Sequence, residues 1–383
     1  MKSKYLFVIN SLGPGGAERS LLELLPDVGA RGIESVVICL DRNPVGLEAD
    51  FLDAGFDVRW LVSKHYPGRV RELRRMIRSE APDLVHTVLF EADIAGRMAA
   101  VGSGVPVVST IANTTYHPER ISADVNLKGW KVAGVRLIDG FTARHLTTAF
   151  HAVSGAVKES AVESLGIDPE KVTVVHRGRD PKRIGERTPD RAAAARSRIG
   201  IGQASPMILT VGRLEFQKGH IFLIEAFARI AESFPDAVLV IAGRDGNASD
   251  SLRDLVDQSA LGDKVMFLGH RDDVPDLLVA ADIFVFPSLW EGLGGALIEA
   301  LALEVPIVAS DLPALREVVG DGESGLLVPP GDPVALADQV IALMSEPHQK
   351  GRIVEGNRAR FERDFSLMGN NAKLIDLFES VAR

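Results

Sequence analysis

The feature that most constrains this chain is an alternation that runs along its whole length. Short runs rich in β-branched and aromatic residues are each followed by a longer stretch with helical spacing. In the first half the short runs are Tyr5 to Ile9, Val36 to Leu40, Leu84 to Thr87 and Val107 to Ile111. In the second they are Met207 to Val211, Ala237 to Ala242, Val265 to Leu268, Ile283 to Phe286, Ile307 to Ala309 and Leu326 to Val328. Strands joined through helices are parallel neighbours, because a parallel pair needs a crossover of a dozen or more residues. The expected class is therefore α/β, with doubly wound parallel sheets covered by helices on both faces. At 383 residues the chain exceeds what one such core needs, so two domains are expected.

The boundary is expected between Arg179 and Ser205, a stretch rich in Arg, Pro, Gly and Ala that follows the strand-like Val172 to Val175 and precedes Met207. This gives an N-terminal domain over 1–180, a linker over 181–205, a C-terminal domain over 206–356 and a tail over 357–383. The tail carries Phe361, Phe365, Leu367, Leu374, Ile375 and Phe378, the spacing of helices that bury one face.

Composition excludes several classes. There are 52 acidic against 43 basic residues, a formal charge of -9, which argues against nucleic acid as a partner because phosphate-backbone binding needs a basic surface. Cys39 is the single cysteine, so neither an intrachain disulfide nor a thiolate zinc cluster can form, as suits a reducing cytoplasm. Within the apolar run Val36 to Leu40 it reads as a buried strand residue. No apolar run approaches the roughly 20 residues that span a bilayer. Leu6 to Ile9 is too short for a signal peptide and reads as the first strand.

The sharpest motif is Phe286-Pro-Ser-Leu-Trp-Glu291, which leads through Gly292, Leu293, Gly294 and Gly295 into a helix carrying Glu299. Open parallel sheets bind ligands beyond the carboxyl ends of their strands, where this loop lies. Glycines at a helix start let backbone N–H groups approach an anion, so the loop reads as a phosphate seat. Glu291 and Glu299 suit sugar and ribose hydroxyls, which carboxylates accept; the alternative makes them a cap and an exposed helix residue. A second strand-end loop, Gly212-Arg213-Leu-Glu-Phe-Gln-Lys218-Gly219, brings two cations. A planar arginine fork and a mobile lysine together suit a diphosphate that gains charge as it departs.

These two loops resemble the retaining GT-B glycosyltransferases of family four, whose C-terminal domains carry a G-R-x-x-x-x-K-G loop and an E-G-x-G-x-x-x-x-E segment. Here they are Gly212 to Gly219 and Glu291 to Glu299. The similarity extends to Gly13-Pro-Gly-Gly16-Ala-Glu18-Arg19, which looks like the family's first glycine loop, and to Ala281-Asp282-Ile-Phe-Val-Phe-Pro287-Ser288. The resemblance implies two Rossmann-like domains facing a central cleft, with the tail packing back toward the N-terminal one. It assigns Arg213 and Lys218 to the diphosphate, Glu299 to the ribose and Glu291 to the donor sugar or its phosphate. Leu293, Gly294 and Gly295 add backbone donors, and Gly16 approaches the phosphates. It further implies a nucleoside-diphosphate sugar, UDP or GDP, as donor, a hydroxyl of a glycan, lipid-linked glycan or small metabolite as acceptor, and retention of the anomeric configuration.

No cofactor or metal is expected, since no Asp-x-Asp pair occurs and Arg213 and Lys218 take the metal's place. Where family members often carry a histidine after the strand Val107 to Ile111, this chain has Ala112-Asn113. Asn113, His117, His86 and Glu18 are the acceptor-side candidates; the plainer readings are a solvated loop for His117, a packed strand histidine for His86 and a first-turn dipole partner for Glu18. The run Arg69 to Arg78 forms a basic amphipathic helix, which suits either peripheral contact with anionic lipid at the inner membrane face or packing on its own sheet. Competing functions are a nucleotide-sugar epimerase of similar architecture and a non-catalytic nucleotide-sugar sensor. A dinucleotide oxidoreductase is disfavoured because Gly13 to Arg19 lacks the G-x-G-x-x-G spacing.

Overall fold

A computed structural model of the chain describes residues 3–43, 45–116, 129–259 and 261–382. It consists of two compact units, Met1–Gly178 with Leu367–Arg383, and Arg179–Ser366. Unit one holds seven parallel strands: β1 Lys4–Ile9, β2 Glu34–Cys39, β3 Asp57–Trp60, β4 Leu84–Val88, β5 Val107–Ile111, β6 Ala149–Ala152 and β7 Val172–Val174. Their order is β3-β2-β1-β4-β5-β6-β7. Unit two holds β8 Met207–Val211, β9 Val238–Ala242, β10 Val265–Gly269, β11 Ile283–Phe286, β12 Ile307–Ser310 and β13 Leu326–Val328, in the order β10-β9-β8-β11-β12-β13. In each parallel sheet the strand order reverses once, between β1 and β4 and between β8 and β11. At such a switch point successive crossovers leave on opposite faces and open a crevice at the carboxyl ends of the two strands.

The apolar runs are continuous because both faces of each sheet are covered. In β1, Tyr5, Phe7 and Ile9 pack with Leu21, Leu24, Leu25 and Val28 of the helix Gly16–Ala30, and with Leu374, Ile375 and Phe378 of the C-terminal helix Leu367–Ala382. The alternate residues, Leu6 and Val8, pack with Leu73 and Ile77 of the helix Tyr66–Glu80 and with Ala92, Ala95 and Ala99 of the helix Phe90–Ala100. The two-residue period of a strand thus feeds two separate cores, each large side chain contributing about 1.5–3 kcal/mol of burial.

Two boundaries differ from the sequence expectation. The stretch 181–205 is part of unit two rather than a linker. Thr188 caps the helix Pro189–Arg198 by accepting from Arg191 N, and this helix lies against the helix Val274–Ala280. Arg196, 6% exposed, donates from Nη2 to Asp282 Oδ2 at 2.7 Å and from Nε to the Ala280 carbonyl at 3.0 Å. Part of the arginine content of the stretch is thus turned inward, because a buried guanidinium is tolerated once its donors are met. The tail also divides. The helix Asn357–Asp364 stays in unit two, where Phe361 is buried and Arg358 reaches the Ala302 carbonyl at 3.3 Å. Only Leu367–Ala382 joins unit one.

The basic helix Tyr66–Glu80 buries Leu73 and Ile77 as its periodicity predicts. Part of its charge is spent internally: Arg69 pairs with Asp41 at 2.7 Å, and Arg74 donates to the Met98 carbonyl at 2.8 Å. Arg71, Arg75 and Arg78 remain exposed. Among the described residues no helix is long and apolar enough to cross a membrane.

Candidate active site

The switch point of unit two carries both motif loops. The segment from Gly212 to Gly219 follows β8, and the segment from Pro287 to Gly294 follows the neighbouring β11. They are laced together: Leu289 N donates to the Gln217 carbonyl at 2.8 Å, and Gln217 Nε2 donates to the Trp290 carbonyl at 2.7 Å. Gly219 has φ +63, and a Cβ there would run into the Pro287 carbonyl oxygen, so only glycine allows this approach. From the other side, the loop after β9 holds the first segment. Leu214 N donates to the Arg244 carbonyl and Phe216 N to Asn247 Oδ1, both at 2.9 Å.

This scaffold brings the expected charges into one place and pairs them. Lys218 Nζ donates to Glu291 Oε1, which also accepts from Ser288 Oγ at 3.0 Å. The Lys218 and Glu291 side chains are only 17% and 8% exposed, and the ammonium lies 5.4 Å from the centre of the Phe286 ring. Such a pair is held because each charge, once withdrawn from water, needs the other. Arg213 stands at the rim, about half exposed, with its Nη1 on Glu215. A surface pair of this kind is worth about 0–1 kcal/mol, so Arg213 can exchange Glu215 for a phosphate at little cost.

Glu291 and Glu299 sit on either side of the glycine turn. Leu293 is buried, Gly294 adopts φ +83, and Gly295 opens the helix Gly295–Ala302. Glu299, at the start of the second turn, is not an exposed helix residue: its Oε1 accepts from Arg179 Nε at 2.9 Å. Arg179 was no sequence candidate. Its guanidinium crosses 120 residues of sequence to this helix, and nothing in its local spacing signals that. Ser288 and Asn247, which brace the site, likewise carry no local signal of their roles.

His220, which opens the helix His220–Ser233, is also part of this neighbourhood, with Nε2 3.3 Å from the Gly212 carbonyl. Burial pushes its pKa down to about 4, so it is a neutral brace beneath the Arg213 loop. Among the described residues no group of three or more His, Cys, Asp or Glu could hold a metal ion.

In unit one the corresponding candidates fare unevenly. Gly16 opens the helix Gly16–Ala30 and is exposed; a Cβ there would lie 3.2 Å from Arg177 Nη1. The Glu18 carboxylate folds back over Gly13 and Gly15, the position of a first-turn partner. Asn113 is exposed in the loop after β5, and His117 lies outside the described residues. His86 corrects the acceptor-side expectation. It sits in the middle of β4, 2% exposed, its ring 4.7 Å from that of Phe378 and 5.5 Å from that of Phe7.

The surroundings of His86 fix its proton. His151 Nε2 donates to the Val175 carbonyl at 2.8 Å, so His151 Nδ1 accepts from Thr110 Oγ1 at 3.0 Å, and Thr110 in turn accepts from His86 Nε2 at 2.7 Å. Burial first, then the neighbouring His151, holds His86 down at about 3; burial holds His151 at about 4. His86 is a neutral residue, 2% exposed, held so chiefly by burial. Cys39 is likewise a buried strand residue, its thiol pushed up to about 12 chiefly by burial.

Residues 14–183 match the family model described as Glycosyltransferase Family 4, and residues 193–360 that described as Glycosyl transferases group 1. The D-inositol 3-phosphate glycosyltransferase of Xylanimonas cellulosilytica is 30% identical over 79% of this chain and 72% of its own. The UDP-Gal:alpha-D-GlcNAc-diphosphoundecaprenol alpha-1,3-galactosyltransferase of Escherichia coli is 28% identical over 80% of this chain and 77% of its own. Among solved structures, Anabaena HepE in complex with UDP and glucose superposes with a TM-score of 0.85 at 21% identity, covering 99% of this chain and 100% of that one. Two Rossmann-like units, the paired strand-end loops and matches spanning both halves lead to one conclusion: the chain belongs to family four of the GT-B glycosyltransferases.

Proposed function

We propose that this glycosyltransferase moves a sugar from a nucleoside diphosphate, UDP or GDP, to the hydroxyl of a glycan or lipid-linked acceptor, with retention and without a metal. The observation that carries the reading is the convergence of Arg213, Lys218, Glu291 and Glu299 on one switch point, around a helix start formed by Gly294 and Gly295. Backbone N–H groups there suit a phosphate, Arg213 and Lys218 suit the charge of a diphosphate, and the glutamates suit hydroxyls. The names of relatives support the substrate classes: one similar enzyme uses UDP-Gal and a diphosphoundecaprenol acceptor, and a structural neighbour holds UDP.

In the proposed reaction the acceptor oxygen bonds to the anomeric carbon on the face the diphosphate leaves. The bond from that carbon to the phosphate oxygen breaks, and the acceptor proton passes to the departing phosphate. Negative charge grows on the diphosphate as the bond opens. Lys218, held beside the seat by Glu291, and Arg213, swinging from Glu215, stabilise it without reorganising bulk water. Glu291 has a second use, since a carboxylate between ammonium and sugar accepts a sugar hydroxyl while keeping Lys218 aligned. The test is incubation with UDP- and GDP-sugars and lipid-linked or glycan acceptors, with the product anomer read by NMR. An α-donor should yield an α-linked product in the presence of chelator. A β-linked product would sink the retaining assignment.

A further inference from the structure

Glu299 is expected to take the donor's ribose hydroxyls, yet a glutamate on a helix surface has three rotatable bonds and no reason to keep its carboxylate in one place. In this protein it is tethered. Arg179 Nε donates to Glu299 Oε1 at 2.9 Å, and both side chains are largely buried, 15% and 22% exposed. The other oxygen, Oε2, accepts from no donor among the described residues. The tether is itself anchored: Arg179 N donates to the Phe365 carbonyl at 2.8 Å and Arg179 pairs with Ser366 in an isolated bridge, so the residue is fixed where the chain enters and leaves unit two. The guanidinium runs back along the first turn of the helix to Gly295, where a Cβ would collide with its Nη2. Glycine at 295 therefore makes room for the arginine as well as for a phosphate.

We propose that Arg179 is a positioning residue of the donor site: by holding one oxygen of Glu299 it aims the other at the ribose, and so sets the preference for a ribonucleotide over its 2′-deoxy counterpart. This rests on the reading of Glu299 as the ribose acceptor. A hydrogen bond to a charged group that is well aimed discriminates by about tenfold to a hundredfold against a ligand lacking the hydroxyl, and a carboxylate left to sample several rotamers loses most of that.

The experiment is calorimetric titration of UDP, dUDP, GDP and dGDP into the full chain, the Arg179→Met and Glu299→Gln variants and their double variant, with Gly295→Ala as an independent way to displace the guanidinium while keeping the backbone N–H. Thermal unfolding of each checks folding. The wild type should prefer the ribo form of its nucleotide by at least tenfold, and Arg179→Met should bring the ratio below about threefold. Gly295→Ala should do the same, and the double variant should add nothing to Glu299→Gln in that ratio. A merely structural arginine would lower the melting temperature and leave the ratio alone, which would overturn the inference and spare the donor-site reading. Absence of nucleotide binding to the wild type would overturn both, whereas binding indifferent to the 2′-hydroxyl would overturn this inference with the ribose role of Glu299 and leave the diphosphate seat standing.

Discussion

The two switch points of this molecule are built alike and used differently. In unit two, the ends of β8 and β11 carry charge arranged in pairs, the largely buried Lys218 with Glu291 and Arg179 with Glu299, and the half-exposed Arg213 with Glu215. In unit one, the strands beside the switch direct their polar groups inward. His86, Thr110 and His151 form a hydrogen-bonded chain that ends on the Val175 carbonyl, and Thr87 donates to the buried Asp93 at 2.6 Å. The same topology thus gives one end where charges are paired at the mouth of a strand-end crevice and one where polar side chains are turned into the core, with His86 Nδ1 buried and without a partner among the described residues. Charge paired at a strand end can be re-paired by an anionic ligand, whereas neutral groups bonded to one another inside a core cannot.

The largest effect should come from breaking the first arrangement. Lys218→Ala should lower turnover by about 10²- to 10³-fold, the loss seen when one preorganised donor to a developing oxyanion is removed, as read by steady-state transfer kinetics. His86→Gln, in the other switch region, should leave nucleotide affinity within twofold. Equal losses from both would erase the contrast between the units. Next in size, Glu291→Gln should destabilise unit two by about 2 kcal/mol in urea unfolding. It strands the Lys218 ammonium in a site only partly open to water, and complete burial would make the cost higher.

A further prediction concerns acid stability, on which two buried groups, His220 and Asp93, act with opposite signs. His220 has its folded pKa depressed to about 4, below the roughly 6.5 of an unfolded histidine, so its contribution is complete above pH ~6.5 and is lost as pH falls toward 4. Asp93 is pushed up to about 7, chiefly by burial and against the pull of Arg97. The folded state therefore takes its proton first, and stability is gained as pH falls from 7 toward 4. Melting temperatures between pH 7 and 4.5 should decline less steeply in His220→Gln than in the wild type, and more steeply in Asp93→Asn. The two slopes should differ from wild type by up to about 1.4 kcal/mol per pH unit each.

Much of this was legible in the chain. Strands buried on both faces read as unbroken apolar runs, and the two motif loops announced the site through glycine and charge at strand ends. Two strands, Asp57–Trp60 and Ala149–Ala152, were not legible: the first carries Asp and Arg on the sheet edge, and the second is half alanine, which favours no strand. The helix Pro189–Arg198 read as a linker because composition cannot tell an arginine that faces water from one bonded to carbonyls. For the same reason Arg179 was invisible, since its partner lies 120 residues away, and the choice between a cleft-facing and a packed His86 is made only by Phe7 and Phe378, which close over it. Local spacing shows which groups leave a strand end; only the fold shows which of them meet.

The most direct test of the central claim, that the unit-two switch point holds a nucleoside diphosphate by its own cations, is calorimetric titration of UDP and GDP into the wild type and Arg213→Ala, with and without chelator. Micromolar binding of one of the two is expected, unchanged by chelator and weakened about tenfold or more in Arg213→Ala. Binding that chelator abolishes, or that Arg213→Ala leaves intact, would contradict it.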